Sequence, residues 1–357
     1  SIKNYSNLDE IYEKLSFLSL KYSMETIVEN LKLLGIKHDN FVFESKMIKK
    51  DIIFKTIKKL KKKNYIYTGK LNVPKGEQVK NWKIRNQLLF KSSKFGDDSD
   101  RPLQKEDGSW TYFAGDIAYH SYKIDRKFDL LINILGADHA GYIKRITSAT
   151  KAISDNRVGL ICKVSQLVKL FKKGQPFKMS KRSGEYITVE DLIREIGKDS
   201  TRFIMLSRSN EVELDFDFEK VTEKSKENPV FYIQYAYARI NSVFRFLKLK
   251  LSNNIKLDIK KVNLNEYEIE ILKKISEWPR CVEISTNKLE PHRISFFLYE
   301  LVTLFHAYWN LGKEKEEFRF ITKNKKDQKS RLLILQALSI VIKNGMSILG
   351  VTAPLKM

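Results

Sequence analysis

At 357 residues the chain exceeds the usual size of one domain, so two domains are expected, each long enough to bury its own core. Hydrophobic content of 42% beside charged content of 31% describes a globular protein, and no run holds the ~18 consecutive apolar residues that a membrane span requires. Lys and Arg (66) outnumber Asp and Glu (43); the net charge of +23 points to a polyanionic partner, nucleic acid before membrane, although Lys, Ile and Asn are abundant throughout and part of the charge reflects that usage.

Residues 1–34 are predicted to form two helical segments, with Ile27, Leu31 and Leu34 on one face and Gly35 as the stop. Residues 36–45 run extended into a helix that Ser45 caps, which turns Ile53, Ile57 and Leu60 inward and Lys49, Lys50, Lys55, Lys58 and Lys59 outward. Such a lysine face suits solvent as well as nucleic acid. From 65 to 90, short β-type runs alternate with the turn residues Gly69, Pro74, Gly76 and Asn81, the pattern of a small antiparallel insertion. The acidic cluster Asp97, Asp98 and Asp100 lacks the ligand positions of a calcium loop, so loop capping is its expected role and no protein-held metal is expected. Cys162 and Cys281 lie far apart without metal-ligand spacing and read as buried free thiols of a reducing compartment, the cytoplasm.

The aromatic stretch from Trp110 to His120 places one carboxylate, Asp116, four residues after Tyr112. Read alone, Asp116 suits a helix N-cap and Tyr112 a core aromatic. Asp129 to Leu135 is an apolar strand of the buried type that ends in Gly136-Ala137-Asp138-His139-Ala140-Gly141-Tyr142 and opens a helix. That is a βα unit of a parallel sheet, and ligands bind where such strands end. Gly136 admits close approach of a ligand to the backbone, whereas a lone histidine such as His139 serves a turn as readily as a ligand. A further strand, Val164 to Leu170, leads to Lys178-Met179-Ser180-Lys181-Arg182-Ser183-Gly184, a loop with two lysines three apart around Met-Ser.

The remainder is helical. Helices are predicted over Val189 to Ile196, ending at Gly197, and over Ser200 to Leu206, with Leu214 to Phe218 as a connector. Asn228 as cap and Pro229 at the first turn open a long helix. Asn265 with Glu268 forms a capping box for the next, which Pro279 ends; Pro291 opens a third that Gly312 stops, and a fourth runs from about 330 to 349. Such helices pack as a bundle, with His306 and Trp309 as packing residues.

The lysine loop resembles the KMSKS signature of class I aminoacyl-tRNA synthetases, with Arg182 where many of them have Ser. Seven segments in this order resemble the arginyl-tRNA synthetases of bacterial type: 34–39, 98–103, 112–120, 136–142, 178–184, 228–236 and 349–357. The resemblance implies an α/β plus all-α chain. Its parts are the second half of a Rossmann-like class I catalytic domain (1–200, with the insertion at about 65–105), a connector (201–227) and an α-helical bundle anticodon-binding domain (228–357). It implies an arginine-tRNA ligase that makes arginyl-adenylate from L-arginine and ATP with Mg²⁺, passes arginine to the terminal adenosine of tRNA(Arg), and needs bound tRNA for activation. It assigns the leading catalytic role to Lys181 and the next to Lys178; ATP contacts to Gly136, His139, Lys178, Met179, Ser180 and Lys181; arginine contacts to Glu44, Tyr112, Asp116 and His139. Anticodon-side contacts fall to Tyr232, Tyr235, Arg239 and Arg245, where tyrosines at helical spacing suit the core as well. The physical sense is plain: paired carboxylates suit a planar guanidinium, and lysines over the phosphates stabilise a departing pyrophosphate.

None of the five histidines forms the second class I signature, His-x-Gly-His. The resemblance therefore implies the C-terminal part of a synthetase, monomeric when complete, whose ATP site is incomplete without the missing N-terminal half. A tRNA-binding fragment or paralogue without catalysis is the alternative left open.

Overall fold

The computed structural model describes residues 8–71, 85–177, 187–252, 254–256 and 262–357. The first element is a single helix, α1 (Leu8–Leu33), where the sequence suggested two; its 26 residues hold no Gly or Pro to break the run. It stops as expected at Gly35, whose φ of +70° lets the Ile36 amide reach back to the Leu31 carbonyl at 2.8 Å. Two compact units result, 38–167 and 1–37 with 168–357. This division cuts across the expected 1–200 portion because α1 joins the later residues, with Arg202 Nη1 donating to the Leu34 carbonyl at 2.8 Å.

In the 38–167 unit, the helix expected after Ser45 is broken into α2 (Glu44–Lys49) and α3 (Ile52–Lys62). Phe43, not Ser45, precedes α2, and Asp51 at φ 55° makes the break, a conformation that a short carboxylate side chain tolerates. As expected, α3 buries Ile53, Ile57 and Leu60. Strands β1 (Ile66–Gly69), β2 (Gln87–Phe90) and β3 (Arg101–Pro102) form the antiparallel insertion, with Ile66 opposite Phe90 and Leu89 opposite Pro102. The acidic cluster fastens its own loop. Arg101 donates through Nε and Nη2 to the two Asp97 oxygens at 2.8 Å each, Lys144 reaches Asp98 at 2.9 Å, and the Tyr67 hydroxyl reaches Asp100 at 2.8 Å.

Helix α4 (Tyr112–Asp125) precedes a β–α–β unit of β4 (Leu130–Gly136), α5 (Ile143–Ser154) and β5 (Gly159–Ser165). The strands are parallel, in register from Leu130 opposite Gly159 to Gly136 opposite Ser165. Helices α3, α4 and α5 share one core built on Leu60, Phe90, Leu103, Ile117, Ile146 and Ala149. The apolar run of β4 is less buried than its composition suggests. Ile132 is 44% and Ile134 77% exposed, because alternate side chains leave the face that the helices cover.

The strand expected over 164–170 is divided between β5 and β6 (Val168–Lys172). β6 lies between β7 (Gln175–Phe177), antiparallel, and β8 (Leu214–Asp217), parallel, so the expected connector at 214–218 supplies a strand. Between them stand α6 (Val189–Ile196), with Thr188 and Asp191 forming a capping box, and α7 (Lys198–Leu206); α8 (Phe218–Thr222) follows.

The bundle comprises α9 (Pro229–Phe246), α10 (Glu266–Ser276), α11 (Trp278–Lys288), α12 (His292–Glu314) and α13 (Lys325–Ile348). Both predicted caps are present, Asn228 on α9 and the Asn265–Glu268 box on α10. Pro279 does not close α10; it sits in the first turn of α11, where its missing amide leaves no hydrogen bond unmade. Gly312 does not stop α12 either, because a Cβ there would stand 3.1 Å from the Phe318 carbonyl, and glycine lets the following turn lie against the helix. By length and apolarity α13 matches a membrane span, but Leu332, Leu335, Leu338, Ile342 and Met346 are buried in the helical core, as in the core helix of a folded domain. Each such Leu or Met contributes about 1.5–3 kcal/mol by leaving water.

Candidate functional site

Three of the four arginine-contact candidates, Glu44, Tyr112 and Asp116, gather at the N-terminal end of α4, whereas His139 lies on the turn after β4. Thr111 is its N-cap, with Oγ1 accepting from the Ala114 amide at 3.3 Å, so Asp116 lies inside the helix and is not a cap. Nor is Tyr112 a core residue: it is 81% exposed, with the Lys105 ammonium 5.7 Å from its ring centre. Glu44, in the first turn of α2, is brought alongside; its Oε1 lies 3.5 Å from where a Cβ on Gly115 would stand.

Asp116 itself is half-buried and held at two points. The Tyr142 hydroxyl donates to Oδ2 at 2.6 Å. Burial first, and then that bond to Asp116, push the phenol far above its ordinary pKa, so the hydroxyl keeps its proton and remains a donor. The second point is the Asp116 carbonyl, 2.8 Å from His120 Nδ1. A carbonyl only accepts, so Nδ1 carries the proton; Nε2 then accepts from Asn133 Nδ2 at 2.9 Å, and Asn133 Oδ1 accepts from Lys123 at 2.8 Å. Burial depresses the His120 pKa; the Asp116 carbonyl opposes this and the Lys123 cation adds to it. The imidazole is therefore a neutral, singly oriented strut between α4 and β4. Among the described residues Asp116 Oδ1 accepts no protein hydrogen bond. A fixed carboxylate with one open oxygen, a second carboxylate beside it and an exposed phenol suit a planar cation with several donors.

Gly136 ends β4 and caps the 3-10 turn Ala137–Tyr142; a Cβ on it would fall 2.6 Å from Asp138 Oδ1. On that turn the His139 side chain is 61% exposed, with Nε2 3.5 Å from Asp138 Oδ2. The loop candidates Lys178, Met179, Ser180 and Lys181, with Arg182, lie outside the described residues.

In the bundle, three of the four anticodon-side candidates form one cluster. Arg239 Nη2 donates to the Tyr235 hydroxyl at 3.0 Å, its guanidinium stands 4.2 Å from the Tyr235 ring and 5.2 Å from that of Trp309, and Nη1 meets His306 Nδ1 at 3.1 Å. The Tyr232 ring lies 4.2 Å from His306, and burial raises the Tyr232 pKa. Tyr232 and Tyr235 are partly exposed, whereas Tyr237, two residues after Tyr235 and so on another face of α9, is buried. Arg245 stands apart and donates to the Leu355 carbonyl at 2.7 Å, fastening the C-terminal segment. Among the described residues no cluster of His, Cys, Asp or Glu has the makings of a metal site.

The sequence model described as the DALR anticodon binding domain matches residues 233–357. An arginine–tRNA ligase of Pelagibacter ubique is 55% identical over 356 residues, covering 100% of this chain and 62% of that protein. One of Roseobacter denitrificans is 47% identical over 334 residues, 92% of this chain and 57% of that protein. The chain thus spans about three-fifths of the length of these curated relatives. A solved arginyl-tRNA synthetase structure from Campylobacter jejuni superposes with a TM-score of 0.79 at 31% identity, covering 96% of this chain and 70% of that one. The chain belongs to the arginyl-tRNA synthetase family. The Thermus thermophilus arginyl-tRNA synthetase, at 17% identity and a TM-score of 0.76 over 98% of this chain and 66% of that one, shares the fold. The expected fold class, class I α/β followed by a helical anticodon-binding domain, is that of this family.

Four residues around Asp116, namely His120, Lys123, Asn133 and Tyr142, carry no role in the sequence pattern, and two of them are instructive. Tyr142 ends a motif that was noticed for its glycines and histidine. Asn133 carries a detectable signal, a lone amide within an otherwise apolar strand, where an unpaired polar group would be costly.

Proposed function

We propose that this chain carries the arginine-recognition and anticodon-binding parts of an arginine-tRNA ligase. The observation that carries the reading is the half-buried Asp116 carboxylate, fixed by Tyr142 and open at Oδ1 beside Glu44 and Tyr112, in a chain of this family. In the proposed reaction the arginine carboxylate attacks the α-phosphorus of ATP, and the bond to the β-phosphate oxygen breaks to release pyrophosphate. A hydroxyl of the terminal adenosine of tRNA(Arg) then attacks the adenylate carbonyl and AMP leaves. Glu44, Tyr112, Asp116 and His139 hold arginine; Gly136 and His139 face ATP with Lys178, Met179, Ser180 and Lys181. Lys181, aided by Lys178, stabilises the charge that builds on pyrophosphate. Mg²⁺ enters with the nucleotide on phosphate oxygens. The functional limits remain 1–200, 201–227 and 228–357, and the site of action is the cytoplasm.

Tyr232, Tyr235 and Arg239 are proposed to meet the anticodon side of the tRNA, two aromatic faces and a cation being suited to unpaired bases and phosphates. Lys181→Ala in the full-length gene product should depress arginine-dependent ATP–pyrophosphate exchange by at least ~100-fold, the scale of one lost transition-state contact, with tRNA affinity changed less than ~3-fold. Equal loss of both would contradict the assigned role.

A further inference from the structure

We propose that Tyr142 is a specificity-determining positioning residue of the arginine pocket: it caps Oδ2 of Asp116 and so aims Oδ1 at the guanidinium. The inference rests on Asp116 as an arginine-binding carboxylate and names what makes that carboxylate selective. The terminal torsion of an aspartate is broad, so an unrestrained carboxylate presents its two oxygens in many orientations. Here the 2.6 Å bond from Tyr142, which leads directly into α5, fixes the carboxylate plane. The His120 strut, set by Asn133 on β4, fixes the backbone carbonyl of the same residue. Asp116 is thus restrained at both ends by groups from different elements, a support that a solvated surface aspartate does not have.

The consequence is a division of acceptors. A guanidinium carries five N–H donors in one plane, whereas an ammonium is a compact point charge. With Oδ2 engaged by the phenol, Asp116 offers one directed acceptor, and the remaining donors fall to a second acidic group; Glu44 stands beside Gly115 to supply it. Two separately placed acceptors favour a planar, multi-donor cation over an ammonium of similar charge. Removing the phenol frees the Asp116 carboxylate to rotate and to draw a solvent donor, and the arrangement loses its direction.

The test compares Tyr142→Phe with Asp116→Asn in the full-length gene product by ATP–pyrophosphate exchange with tRNA present, measuring KM for arginine, KM for ATP and kcat. The expected result for Tyr142→Phe is an arginine KM raised about 10-fold, the size of one charge-assisted hydrogen bond, with kcat and the ATP KM within about 2-fold of the parent. An unchanged arginine KM in Tyr142→Phe, with arginine use lost in Asp116→Asn, overturns the role of Tyr142 and leaves the pocket standing. An unchanged arginine KM in Asp116→Asn overturns the pocket itself. A uniform fall in kcat with both KM values disturbed, together with a lowered melting temperature, assigns Tyr142 a structural role and overturns the inference as well.

Discussion

His306 illustrates how a single buried ring can orient its neighbours, Arg239 and Tyr232. Its Nε2 faces the Tyr232 carbonyl at 3.1 Å and carries the proton, so Nδ1 accepts from Arg239. Burial pushes its pKa down to about 4; the Tyr232 carbonyl opposes the fall and Arg239 adds to it. In the unfolded chain an imidazole titrates near ~6.5. Between these values the unfolded state binds a proton that the fold refuses, so the neutral ring's contribution is complete above pH ~6.5 and is lost as pH falls toward 4. The loss reaches up to about 3 kcal/mol. Urea unfolding of the parent and of His306→Gln at pH 7 and pH 4.5 checks this: the parent's advantage should shrink by about 2 kcal/mol or more at the lower pH, and a pH-independent difference would contradict it. The sequence identified His306 as a packing residue, which its burial bears out, but the partner of each nitrogen depends on residues some 70 positions away and no local pattern carries that. Asp116 shows the same limit. Its spacing from Tyr112 was visible, whereas its exclusion from the cap position needed the observed start of α4 at Tyr112, with Thr111 capping.

At the scale of elements, Glu268 serves two tasks. Its carboxylate closes the α10 capping box through the Asn265 amide at 3.1 Å, and it is buried against Arg331 of α13 at 2.7 Å and the Tyr308 hydroxyl of α12 at 2.7 Å. Removing one partner of a buried ion pair leaves the other uncompensated, so Glu268→Ala should cost about 3–5 kcal/mol in chemical unfolding, well above the roughly 1 kcal/mol of a lost cap. A loss near 1 kcal/mol would mean that the pair with Arg331 contributes little. Here the sequence was informative for a clear reason. Capping boxes and Asn-Pro starts are local chemistry, and both α9 and α10 begin where these signals stand. Helix ends were less legible because tertiary contacts decide them: α12 runs past Gly312, α11 begins at the proline expected to end α10, and α2 and α3 part at Asp51.

Across the whole molecule, the parallel β–α–β unit and the helical bundle were readable because hydrophobic periodicity and turn residues are repeated signals. The joining of α1 to the unit at 168–357 was not, since it depends on contacts such as Arg202 with the Leu34 carbonyl, remote in sequence. The net charge of +23 suits a protein whose family acts on tRNA, but charge alone names no amino acid. In the proposed function the amino acid is specified at the Asp116 site, where a carboxylate is capped by the Tyr142 phenol and Glu44 stands near Gly115. The most direct measurement is therefore aminoacylation of tRNA by the full-length gene product with ATP and Mg²⁺, each of the twenty amino acids being supplied in turn. The account predicts that arginine, and no other, becomes esterified to the tRNA. Charging with a different amino acid, or tRNA binding without arginine transfer, would contradict it.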